Sequence, residues 1–263
     1  INFAYYLFQK YETISALLQS MAGTDPPNLS NKGIYNINCA FPPTKAEQTA
    51  IATALSDTDA LIAGLEKLIA KKQNIKQGAM QKLLTPKERW EVKKLGEFLD
   101  YEQPTNYLVI DTKYDDNNHT PVLTAGKTFI LGYTDEEFDI FTNVPVIIFD
   151  DFTTANKFVD FPFKAKSSAM KMLMPKNDNV NLRFIYEIMQ QINFPLGDHK
   201  RHWIREFQHI EISVPNSEVQ TQIAQILSDI DKEMQAIETK LDKYKMIKQG
   251  MMQNLLTGKI RLI

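Results

Sequence analysis

Basic and hydroxyl side chains gather at two places in this sequence in a pattern suited to holding a polyanion. Lys157, Lys164, Lys166, Lys171 and Lys176 fall in an interval whose only carboxylate is Asp160, and Ser167 and Ser168 lie among them. His199-Lys200-Arg201-His202, with Arg205, forms a second basic knot. Lysine and arginine neutralise phosphates, whereas amides and hydroxyls within hydrogen-bond reach of base edges carry sequence information. We therefore take Lys164, Lys166, Ser167, Ser168, Lys200 and Arg201 as candidates for contacts to the phosphates of such a polyanion, should the chain bind one. Lys127, Thr128, Asn156 and Lys157 are the candidates for base edges.

Other strings offer enzyme chemistry only in part. Gly126-Lys127-Thr128 matches the end of a phosphate-binding loop, but that loop needs a glycine where this sequence has Pro121. Asp25-Pro26-Pro27-Asn28 resembles the catalytic loop of amino-methyltransferases, yet Asn28 stands where an aromatic would stack a flipped base. His199 and His202 lack the further ligands that zinc requires, so no metal site and no cofactor are expected. Glu91-Val-Lys93 has no upstream acidic partner for a nuclease centre. The chain is expected to be non-catalytic.

Composition fits a globular chain of one or two domains: 263 residues, 43% hydrophobic, 24% charged, net charge −2. The single Cys39 excludes an internal disulfide and fits a reducing compartment, so the expected location is cytoplasmic, with no membrane span. Charge is unevenly spread. Residues 88–214 carry 14 basic and 20 acidic side chains, which excludes an all-over phosphate-binding surface and requires a local one. The opening Ile1 and the helical character of the first segment lead us to expect that the sequence begins inside a longer product.

What positions these residues is a duplication. Residues 43–87 and 215–259 align without a gap over 45 positions, 21 of them identical, with Gln48 matching Gln220 at an offset of 172. Each copy opens on a capping signal, Thr44 with Glu47 and Ser217 with Gln220, and closes on Thr85-Pro86 or Thr257-Gly258. Each should be one long helix, about 60 Å for about 40 residues. Apolar residues recur at the coiled-coil period of seven: Ile51, Leu55, Ile62, Leu65 and Ile69 in one copy, Ile223, Leu227, Ile230, Met234, Ile237 and Leu241 in the other. Neither helix could bury such a stripe alone, so the two are expected to pair. Gly78 and Gly250 sit at equivalent helix-interior positions, where close approach of a neighbouring helix would explain them.

Between the copies, residues 88–214 read as a mixed α/β domain. Strands are expected near 107–110, 144–149, 158–163 and 210–214, with a helix at 181–192. Residues 1–42 echo only the tail of that domain: a helical stretch at 4–19, a Gly/Pro loop, then Ile34-Tyr-Asn-Ile37 in the place of the closing strand.

With those features in view, the chain resembles the specificity subunit of Type I restriction-modification enzymes. The endings IKQGAMQKLLTPK and IKQGMMQNLLTGKIRL, and PVIIFDDFTTANKFVDFPFKAKSSAMKML at 145–173, carry the likeness over nearly the whole chain, although only the tail of a first recognition domain is present. The resemblance implies an α+β fold: one target recognition domain and two long helices pairing as an antiparallel coiled coil. It divides the chain into a first-domain remnant (1–42), a spacer helix (43–87), the recognition domain (88–214) and a second spacer helix (215–263). It implies that the domain reads one half-site of double-stranded DNA while the helices dock methyltransferase subunits and, indirectly, restriction subunits. Partner subunits would then methylate and cleave. Half-length relatives also suggest a head-to-tail homodimer. A protein-interaction scaffold, a helical hairpin without DNA reading of its own, is the alternative.

Overall fold

The computed structural model describes residues 3–19, 21, 31–39, 41–126, 128–195 and 201–262. Two compact units emerge, one of residues 1–76 and 230–263, the other of residues 77–229, so both division points fall inside the long helices.

In the first unit, α1 (Phe3–Gln9), α2 (Tyr11–Gln19) and α3 (Asn31–Tyr35) precede α4 (Lys45–Leu83). The expected strand at Ile34 is instead the end of α3. A strand needs a ladder partner, and no strand lies among the described residues of this unit. The capping signal of α4 holds in part. The Thr44 hydroxyl accepts from Glu47 N–H at 3.3 Å, but the Glu47 carboxylate turns to Arg261 rather than back to the cap.

The second unit continues from α4 with β1 (Glu91–Lys94), α5 (Leu95–Phe98) and β2 (Leu99–Glu102). There follow β3 (Thr120–Leu123), β4 (Ile130–Thr134), β5 (Val146–Asp150), β6 (Asn156–Val159), β7 (Lys164–Ala165) and β8 (Met170–Pro175). Then come α6 (Leu182–Met189), α7 (His202–Arg205), β9 (Glu211–Val214) and α8 (Ser217–Leu255). Residues near 107–110 make no strand. A 3₁₀ turn at Pro104–Tyr107 leads into a lone bridge from Leu108 to Ala165.

A four-stranded antiparallel sheet, β2-β8-β5-β6, divides two cores. Alternation along each strand sends Ile147, Phe149 and Leu173 to one face, under α6, Trp203 and Phe207. Val146, Ile148, Val159, Met170 and Met172 go to the other, toward the three-stranded sheet β4-β3-β7 and Phe141 and Phe163. β9 closes the domain against β1, delivering the chain to α8.

Helices α4 and α8 are each 39 residues long, and their first and last residues correspond at the offset of the repeat. Asn216, not Ser217, caps α8, its side-chain oxygen accepting from Val219 N–H at 3.0 Å; Asn216 is the partner of Thr44 in the alignment. Within the first unit the pair is antiparallel, because partners descend on α8 as positions ascend on α4. Thr58 meets Met251, Asp59 meets Lys248, Glu66 meets Lys245, and Lys76 meets Asp231. Met251, Leu255 and Leu256 pack with Ile51, Ala52 and Leu55 beneath Phe3 and Tyr6. In the second unit the aligned residues Leu83, Leu84, Ile223, Ala224 and Leu227 pack beneath Phe184. The same apolar set therefore forms the base of each unit.

Candidate nucleic-acid interface

Three loops meet where β3, β5 and β7 end. Lys166 N–H bonds to Leu123 O at 3.0 Å, tying the 166–169 loop to the start of the loop that carries Gly126 and Thr128. Asp151 N–H bonds to Ala169 O at 3.0 Å, tying the same loop to the turn after β5. That turn is held by Asp150, whose carboxylate accepts from Phe152 N–H and Thr153 N–H at 3.0 and 2.8 Å, and Thr154 takes a left-handed φ of 56°. A fourth segment is fastened beside it. Asp151 O accepts from His202 N–H at 2.8 Å and its carboxylate from Trp203 N–H at 2.9 Å, placing Arg201 next to the turn.

Asp151 thus clamps three segments, and its charge is met inside the protein by Lys171 Nζ at 3.0 Å, both side chains being 1% exposed. A buried carboxylate is tolerable only with such pairing and hydrogen bonding. Lys171 also lies over the Tyr101 ring at 4.8 Å, which fills the space around its ammonium with a favourable quadrupole.

The candidates of the sequence fare differently. Lys166, Ser167, Ser168, Thr128 and Arg201 are exposed, and each lies in or beside a segment joined by these bonds. Asn156, the first residue of β6, is half-buried and accepts from Gln190 at 2.6 Å; Lys157 is half-buried on the opposite face of the strand. Lys127 and Lys200 lie outside the described residues, as do His199 and residues 25–28. Lys164 must be corrected. It is 0% exposed, 2.6 Å from Glu136 and 3.0 Å from Phe138 O, so its charge is spent on an internal pair and reaches no phosphate. The basic interval 157–176 is therefore not one surface: Lys164 and Lys171 are internal and Lys176 faces Asp100 at 3.6 Å.

Glu136 also accepts from Ile110 and Asp111 N–H at 2.8 and 2.7 Å. Burial pushes its pKa up, but the Lys164 hydrogen bond, these two amides and the lysine charge outweigh it and hold the carboxyl below the usual 4.5. Sequence reasoning missed Glu136, Asp151 and the tether role of Lys171, because each pairing is non-local and leaves no periodic signal. Among the described residues no three His, Cys, Asp or Glu converge as a metal site, and no helix is long and apolar enough to cross a membrane. Thr128 leads into β4, whereas a phosphate-binding loop would open a helix there.

In chain order, a strand-rich segment separates two 39-residue helices that share one repeat. The chain resembles the S subunit of a Type I restriction-modification system from M. genitalium, with a TM-score of 0.74 at 19% identity, over 96% of this chain and 71% of that one. Residues 87–246 match the family model for the Type I restriction modification DNA specificity domain, and the chain belongs to that family. The Escherichia coli EcoR124I/EcoR124II specificity subunit is 52% identical over 145 residues, 51% of this chain and 36% of that relative's length. The MjaVIII specificity subunit of Methanocaldococcus jannaschii is 24% identical over 300 aligned residues, covering 98% of this chain and 70% of the relative.

Proposed function

We propose that this chain is a non-catalytic specificity component of a Type I restriction-modification complex, reading one half-site of double-stranded DNA with the loop edge described above. The observation that supports this reading is that exposed Thr128, Lys166, Ser167, Ser168 and Arg201 belong to segments far apart in sequence that backbone bonds at Lys166 and Asp151 tie to one another. Lys166, Ser167, Ser168 and Arg201 hold phosphates, with Lys200 beside them in sequence; Thr128, Asn156 and Lys157, with Lys127, address base edges.

Methyltransferase subunits dock on the helices, and restriction subunits join through them. Support comes from the outward side of α4, where Leu61, Leu68 and Ile75 are 50, 40 and 45% exposed at intervals of seven. Gly64, between them, has open space around the position of a side chain. A helix of a partner would cover this stripe closely. Methylation and cleavage then belong to those partners.

Selection of bound duplexes from a randomised pool, with and without a partner methyltransferase, tests the reading. A short defined half-site should be enriched, and K166A/R201A should weaken binding to all sequences and flatten the salt slope. Asn156→Ala should instead cost about 1–3 kcal/mol at one base position. Partner binding without any enrichment would leave only the scaffold.

A further inference from the structure

The charged contacts of the helical pair contain a duplicate. Lys76 Nζ lies 2.7 Å from Asp231, and Lys248 Nζ lies 2.6 Å from Asp59. At the offset of the repeat Lys76 corresponds to Lys248 and Asp59 to Asp231, so these are one contact made twice about a local two-fold axis. Two further ion pairs of the helices do not repeat in this way: the counterparts of Lys72 and Glu233 are Tyr244 and Leu61, and those of Glu66 and Lys245 are Glu238 and Gln73. All four side chains of the duplicated pairs are only 22–31% exposed. The buried Tyr6 hydroxyl adds a bond to Asp59 at 2.8 Å.

Between the packed ends, the middle of the seam specifies alignment poorly. Ile62, Leu65 and Ile69 on α4, and Met234, Ile237 and Leu241 on α8, are apolar residues of similar volume, and such residues exchange places at small cost. Sliding α8 by one heptad keeps apolar facing apolar. It also brings Asp59 opposite Leu241 or Leu255, and Asp231 opposite Ile69 or Leu83, stranding two carboxylates against aliphatic side chains. The two rungs stand about 25 Å apart along the helix, so no tilt about one rung can satisfy the other.

We infer that Asp59–Lys248 and Lys76–Asp231 are paired positioning contacts that fix the register of α4 against α8, and so set the spacing between half-sites that the complex accepts. The second clause rests on the DNA-reading function proposed above; the first does not.

The test uses the full chain carrying Thr58→Cys and Met251→Cys, positions whose side chains touch at 3.6 Å, with Cys39→Ser to remove the native thiol. Disulfide formation then reports register. In K76D/K248D the rungs repel while Asp59 keeps its tyrosine, and cross-linking should slow on the order of tenfold. The full inversion, K76D/K248D/D59K/D231K, restores opposite charges at both rungs and should return the rate to within about twofold of the parent. Duplex selection in complex with a methyltransferase subunit should show a broadened half-site spacing for the first variant and the parental spacing for the inversion. Parental cross-linking in K76D/K248D overturns the inference, and so does failure of the inversion to recover. Correct cross-linking with unmoved spacing overturns the spacing clause. If the parent enriches no sequence while cross-linking behaves as expected, the DNA-reading function fails and the register claim stands.

Discussion

Replacing Lys171 by Met should be one of the most damaging single changes in the second unit. The lysine lies in the core face of β8, and its removal leaves the Asp151 carboxylate buried without a countercharge. Breaking one side of such a pair costs about 3–5 kcal/mol. For a chain of this size that corresponds to a fall in Tm on the order of 10 °C. The companion D151N/K171M removes both charges, yet the amide oxygen at position 151 can still accept from Trp203 N–H, and the loss should shrink to about 1 kcal/mol. Trp203 is fully buried beside this carboxylate, so its fluorescence during urea unfolding reports the affected region directly. A K171M midpoint within about 1 kcal/mol of the parent, or a double variant as unstable as the single one, would refute the claim that Asp151 needs its lysine.

Other outcomes follow from the same structure. Burial and the Asp59 carboxylate push the Tyr6 hydroxyl up from 10.0 to about 12. Its contribution to stability is complete below the unfolded value and lost as pH rises through the folded one, so a late phase in the ultraviolet tyrosine titration should vanish in Tyr6→Phe. Glu136 is shifted the other way, so its contribution is present above the unfolded value of 4.5 and lost as pH falls through the folded one. Glu136→Gln should be less stable than the parent at neutral pH and should lose less on acidification, as read by unfolding midpoints across that range. Gly64→Ala and Gly78→Ala should each stabilise the isolated chain by up to about 1 kcal/mol, because no atom lies within 4 Å of the added carbon. Destabilisation in denaturant melts would mean the glycines serve contacts inside this chain.

Much of the architecture was legible because its signals are local. Capping side chains, a seven-residue period and a stop signal lie within each copy, and comparing the copies places both helices at the same bounds. Even the error at Ser217 is instructive, since the alignment with Thr44 already pointed to Asn216. The short strands β3 and β4, which contain Pro121 and Gly132, were illegible for the opposite reason. They exist through pairing with each other and with β7, not through any pattern of their own. Exposure agrees with the sequence reading at Lys166, whereas a distant carboxylate partner overrides it at Lys164 and Lys171. A lysine's sequence neighbours do not announce the carboxylate that folding brings beneath it.

The withdrawal of Lys164 and Lys171 into the interior also shapes how such a domain would meet a polyanion. Their internal carboxylate partners cancel them, so the acidic excess of residues 88–214 persists at long range, and attraction cannot gather the two bodies from afar. Encounter would be slow, and lowering salt, which lengthens the reach of that repulsion, would slow it further. Discrimination would be exercised within about 10 Å of contact, where a handful of loop side chains outweigh the repulsion of the whole.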